Sequence, residues 1–200
     1  MLKQFISFVI IGVTVSVSQA ERILIDESAD SKSYFTANKW SSSKSVKSFK
    51  KMGLGTTFSG AMGLAGANLD LNFSKDFTFS LGLGISHHFH SFNMHIQQTL
   101  GGETFLPYVV AGYSRWASMG QNGSIDSTSP SLLGDKFLNS TEKRTGIFSK
   151  DLIYPGIGLE YLNNSGDWSG LAFFGELLLL VDVSELKIAT TAGLGVKFYF

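Results

Sequence analysis

Chemistry in this chain concentrates in one short stretch. All four histidines lie between His87 and His95, as His87, His88, His90 and His95. Imidazoles at such spacing can bind zinc, copper or nickel. No carboxylate stands within this stretch, and the chain holds no cysteine, which removes thiol catalysis, disulfides and the common cysteine-based zinc sites. Ser91 follows His90 directly, and a histidine beside a serine is a standard way to activate a hydroxyl nucleophile. No glycine-rich phosphate loop and no nucleophile elbow accompany them. Gly82-x-Gly84 and Gly193-x-Gly195 read instead as small residues on strands. The plainer reading is a solvated loop at His87–His90, with His95 packed inside the fold.

Whatever these side chains do, alternating strands must hold them. From Ile188 to Phe200 the chain alternates with period two. Ile188, Thr190, Ala192, Leu194, Val196, Phe198 and Phe200 share one face; Ala189, Thr191, Gly193, Gly195, Lys197 and Tyr199 share the other. Seven earlier segments read the same way: 52–59, 64–73, 77–86, 91–99, 104–117, 152–162 and 168–181. The phase of the fifth is ambiguous, because both faces carry apolar groups. Pro155 weakens the sixth, since proline cannot donate to the ladder. The connections after the second, fourth and sixth strands are short turns. Ser118 to Lys150 is long, polar and rich in small residues.

The 200 residues suffice for one domain, and a net charge of zero gives no reason to expect a nucleic-acid partner. Only 16% of residues are charged, against roughly 25% in soluble domains. Twenty-two glycines and three prolines suit close-packed strands. Residues 1–20 read as a secretory signal peptide, with Lys3 at the start, an apolar stretch from Phe5 to Val17, and cleavage after Ala20. Residues 21–50 form a serine- and lysine-rich polar N-terminal arm, only partly ordered and read as a linker.

The all-β pattern predicts an eight-stranded antiparallel up-and-down barrel over residues 51–200. The polar faces carry glycine, serine, threonine and asparagine with few charges, which suits a narrow interior better than a wetted surface. Aromatics cluster near strand ends: Phe73, Phe77, Trp116, Tyr161, Trp168, Phe198 and Phe200. The apolar faces are therefore expected outward, in lipid. Asp70, Glu160, Glu176 and Lys197, together with Arg115, are expected inside as a polar network, with Lys197 offsetting Glu160 or Glu176. Eight strands filled by side chains leave no open pore.

Residues 51–200, with the signal peptide and the closing aromatic, resemble the small eight-stranded outer-membrane barrels of Gram-negative bacteria, of the OmpA/OmpX type. The resemblance implies residence in the bacterial outer membrane among its lipid and lipopolysaccharide. It also implies an assembly signal at Phe198 and Phe200, read by the barrel assembly machinery, and a structural or interaction role without a cofactor. An extracellular partner is expected through Ser118–Lys150. Two alternatives remain. One is a lipid-modifying enzyme like the lipid A deacylases, acting through His87–Ser91; their His-x-Ser motif is not reproduced by His88-Phe89-His90-Ser91-Phe92-Asn93, so no catalytic role is carried over. The other is a soluble lipocalin-like ligand-binding barrel.

Overall fold

The computed structural model describes residues 40, 42–120, 124–125 and 136–200; the expected signal peptide, residues 1–20, and most of the expected arm lie outside them. Eight strands alternate in burial along almost their whole length. They are β1 (Met52–Ser59), β2 (Ala65–Asn72), β3 (Phe77–Ile85), β4 (Phe89–Thr99), β5 (Phe105–Ser118), β6 (Ser149–Leu162), β7 (Leu171–Asp182) and β8 (Ile188–Tyr199). Each pairs antiparallel with the next, and β1 pairs with β8 from Gly53↔Tyr199 to Ser59↔Gly193, closing an up-and-down barrel. Phe200 extends that seam: its amide donates to the Met52 carbonyl at 2.8 Å. Closure removes the edges that an open sheet would leave unpaired.

Pro155 is accommodated as its chemistry demands. It faces outward and stays in register with Ala111 on β5, while the β6–β7 pairing is interrupted between Ile153↔Val181 and Gly156↔Leu178. The missing N–H falls where the ladder pauses.

The outward face is apolar. Leu54, Phe58, Leu83, Ile85, Ile157, Phe173, Leu177 and Leu194 are all exposed. Among the outward residues of the eight strands, Arg115 and Asp151 are the only Asp, Glu, Lys or Arg side chains. They sit opposite each other on β5 and β6, 3.8 Å apart. Arg115 thus corrects the sequence reading, which placed it in the lumen. Its neighbour Trp116 is the inward residue and is fully buried, so it does not belong to the outer aromatic girdle either. The other strand-end aromatics, with Phe49 and Phe105, are exposed or, for Phe77, half-buried around the end of the barrel where β1 begins and β8 ends, here the terminal end.

Both ends are closed by the chain itself. At the opposite end, the loop end, the β1–β2 connection turns inward as a short 3-10 turn, Gly60–Met62, with Ala61 and Met62 buried. Positive φ at Ser59, Gly60 and Gly63 makes the reversal. The Ala61 carbonyl accepts from Ser114 Oγ at 2.8 Å and Trp116 Nε1 at 2.7 Å, and the Met62 carbonyl accepts from Ser91 Oγ at 2.7 Å. The Met62 side chain occupies the space left by Gly66 and Gly82, where an added Cβ would come within 2.5 and 2.3 Å of it. The described parts of the long connection fold back over this turn. Ile125, Phe137, Leu138 and Phe148 join Phe89 and Trp116 in a buried cluster, with the Phe89 and Trp116 rings stacked at 4.7 Å.

At the terminal end, part of the segment read as a linker is ordered. Helix α1 (Ser43–Phe49) sits in the barrel mouth, capped by Ser42, with Ser43, Val46 and Lys47 buried. Val46 packs with Leu106, Leu162, Ala172 and Tyr199.

Candidate functional site

Between the two closures lies a polar lumen. β2 presents Asn68, Asp70 and Asn72 inward because period two puts every second residue there. β6 presents Glu160, β7 Glu176, and β8 Lys197 and Tyr199, on the same rule.

Two buried ion pairs organise the terminal half. Lys197 Nζ lies 2.7 Å from Asp70, both nearly without exposure. Asp70 also accepts from Ser80 Oγ and from Asn68 Nδ2, the latter at 2.9 Å. Lys47 Nζ, reaching up from α1, lies 2.9 Å from Glu160, with both side chains fully buried. Gln97 Nε2 donates to the same carboxylate at 3.2 Å. The Tyr199 hydroxyl bridges the pairs, 3.3 Å from Asp70 and 3.4 Å from Glu160. Buried charges demand such partners, since an isolated one loses its hydration without compensation.

The pairing differs from the sequence reading in one respect: Lys197 neutralises Asp70, and Glu160 is met by a lysine outside the strands. The omission had a readable signal. The strands carry four inward carboxylates, Asp70, Glu160, Glu176 and Asp182, against two inward lysines, Lys150 and Lys197. A deficit of cations inside a closed barrel asks for another from a connecting segment, and Lys47 sits beside Val46 in the arm.

Further toward the loop end, Glu176 lies between two glycines, opposite Gly158 on β6 and Gly193 on β8. A side chain at either position would crowd its neighbours. A Cβ at Gly193 would come within 2.9 Å of the Glu176 carboxylate, and one at Gly158 within 2.2 Å of the Tyr108 ring, whose hydroxyl lies 3.4 Å from Glu176. His95 points inward, with Nδ1 3.2 Å from Asn93 Oδ1 and 3.4 Å from the Tyr154 hydroxyl. A cavity of about 10 Å³ is bounded by Asn93, His95, Tyr154, Glu176 and Lys197, enough for about one water.

The histidine stretch does not assemble a catalytic pair. His90 faces outward, while Ser91 is buried on the inner face and donates to Met62. Among the described residues no group of three or more His, Asp or Glu side chains is arranged to hold a metal ion. At the loop end, Lys150 is almost buried and gathers Glu142 (3.1 Å), Glu185 (3.0 Å) and Asp182 (3.7 Å). Glu142 belongs to a second short helix, α2 (Ser140–Thr145), so Lys150 ties the long connection to the β7–β8 turn.

Comparison with known proteins agrees with this architecture. No protein-family model matches the chain, and no curated protein matches it in sequence. Among solved structures, the chain is similar to the N-terminal β-barrel domain of Pseudomonas aeruginosa OprF. The TM-score is 0.52 at 18% identity, covering 74% of this chain and 96% of that one. At that identity the likeness is one of fold: a closed antiparallel barrel of eight strands.

Proposed function

We propose that this protein is a structural barrel of the bacterial outer membrane, without an open pore, presenting its loop end outside the cell. One observation carries the reading: a closed barrel whose outward strand face is largely apolar and holds no Asp, Glu, Lys or Arg side chain except Arg115 and Asp151. A soluble lipocalin-like barrel has these faces reversed, with apolar groups inside and polar groups in water. Lipid reverses the rule, because the bilayer core solvates apolar side chains and forbids unpaired backbone, which closure satisfies. The exposed aromatics at the terminal end suit the interfacial girdle of such barrels.

The turns at the terminal end are short, as periplasmic turns are, and the one long connection lies at the loop end. This orientation gives Ser118–Lys150 the surface role. Lipid and lipopolysaccharide would surround the belt, and Phe198 and Phe200 would serve as the signal to the assembly machinery. The buried ion pairs of the lumen, the inward turn and α1 support the reading of a sealed barrel.

Cell fractionation tests the location. The full chain is expected in the outer-membrane fraction, migrating faster unheated than boiled on a detergent gel. Recovery in the soluble periplasm would refute the reading. Reconstitution in a planar bilayer is expected to give no steady conductance; a stable open channel would refute the sealed lumen while leaving the location intact.

A further inference from the structure

Helix α1 is attached to the barrel unlike any strand. It makes no ladder. Its segment instead touches all three turns at the terminal end. Lys44 pairs with Asp76 on the β2–β3 turn at 2.7 Å. The Ser43 amide donates to Glu103 on the β4–β5 turn at 2.9 Å. On the β6–β7 side, the Trp40 amide donates to Asn164, Ser43 Oγ to Leu162 and Lys50 Nζ to Ser169. Only Val46 of its apolar residues is fully buried; Phe49 stays exposed. Seven residues, three of them serine, do not make a stable helix alone, since isolated helices shorter than about 12–15 residues are marginal in water. The eight strands close without it.

We propose that α1 is a detachable plug: it leaves and re-enters the terminal mouth as a unit while the eight strands stay closed, with Lys47 and Glu160 as the latch. Helix formation and docking are then one event, and α1 is the least stable element of the fold, as segments with few buried apolar contacts are. The vacated mouth is a binding site of definite chemistry. Glu160, Gln97 and the Tyr199 hydroxyl form its floor, and Leu106, Leu162 and Ala172 form its apolar wall. Such a site takes a short peptide with an apolar residue followed by lysine, and the chain supplies that peptide in cis as Val46-Lys47. The proposal needs only the closed barrel, so it stands or falls separately from the membrane reading.

The chain has no cysteine, so single thiols report on opening. Val46→Cys places one on the plug, and Ser114→Cys places one on the buried inner wall of the loop half. In the folded full-length protein in detergent, Val46→Cys is expected to react with a small water-soluble maleimide at least tenfold faster than Ser114→Cys. Adding Glu160→Gln is expected to raise the Val46→Cys rate at least another tenfold, with the unheated gel migration of the barrel unchanged. A synthetic peptide of residues 40–50 is expected to raise Val46→Cys labelling at least threefold by occupying the vacated mouth, and the same peptide with Lys47→Glu is expected to leave it unchanged. Equal labelling at the two thiols would mean that α1 opens only when the barrel unfolds, and would overturn the proposal. So would equal rates with the two peptides.

Discussion

At the scale of single residues, Asp70 and Lys197 test how the lumen is held together. Each is buried and, among the described residues, each is the other's only oppositely charged partner within 3 Å. Removing one leaves an uncompensated charge inside, which costs about 3–5 kcal/mol, whereas replacing both with uncharged groups of similar size is close to neutral. Lys197→Met is therefore expected to lower stability by about that amount, and Asp70→Asn with Lys197→Met to recover most of it. Urea unfolding of the detergent-folded protein measures both; a double variant as unstable as the single would disprove the pairing. Glycine gives a second contrast. A Cβ at Gly158 meets the Tyr108 ring at 2.2 Å, whereas one at Gly101 meets nothing within 4 Å. Overpacking costs about 1–3 kcal/mol, so Gly158→Ala should lower the unfolding midpoint. Gly101→Ala should stay within about 0.5 kcal/mol of the parent. Arg115 and Trp116 show where residue types mislead. A charge was expected inside and an indole at the rim, yet the two are reversed. The lumen near the loop end is apolar because the 60–62 turn and Phe137 fill it, and Trp116 Nε1 finds the Ala61 carbonyl there.

At the scale of elements, the eight strands were legible because each satisfies one local rule: apolar on one side, small or polar on the other. The first strand reads identically in sequence and structure, Met52–Ser59, and the rest differ by a few residues at their ends. β5 resisted phasing because its inner face, with Leu106, Tyr108, Val110 and Trp116, is itself apolar where it meets the two closures. Those closures were the illegible part. The 60–62 turn and α1 depend on contacts between distant segments, which no local period records. The long connection is held by Lys150, and its hold has a pH dependence. Hydrogen bonds from Lys187 and Lys150 keep the Glu185 carboxyl below its usual 4.5. A group with a depressed folded value stabilises the fold above its unfolded value and loses that contribution as pH falls through the folded one. Protease cleavage within Ser118–Lys150 is therefore expected to quicken as pH falls from 4.5 through the lower folded value, and Glu185→Gln is expected to cleave at the faster rate already at pH 7. A Glu185→Gln protein as resistant as the parent at neutral pH would remove Glu185 from this account.

At the scale of the whole molecule, the decisive question is what wets the outside. Leu194 lies midway along β8, points outward and is 66% exposed. In water such a position is nearly free: a surface substitution there changes stability by about 0.5 kcal/mol or less, and an arginine would improve solubility. In a bilayer the same change puts a guanidinium near the midplane, at a cost of about 2–4 kcal/mol that falls toward zero near the interfaces. Position along the strand thus separates the two solvents. Leu194→Arg is expected to destabilise the lipid-reconstituted protein by that amount, and Ile188→Arg, at the loop end of the same face, by far less. Arg115 is consistent with this gradient, since the one outward arginine of the strands stands at the loop end beside Asp151 and away from the middle of the belt. Equal, near-zero effects at Leu194 and Ile188 would mean that water covers the barrel, and the outer-membrane assignment would fail with them. A graded loss would come from the outward face alone, because neither substitution touches the lumen pairs or α1.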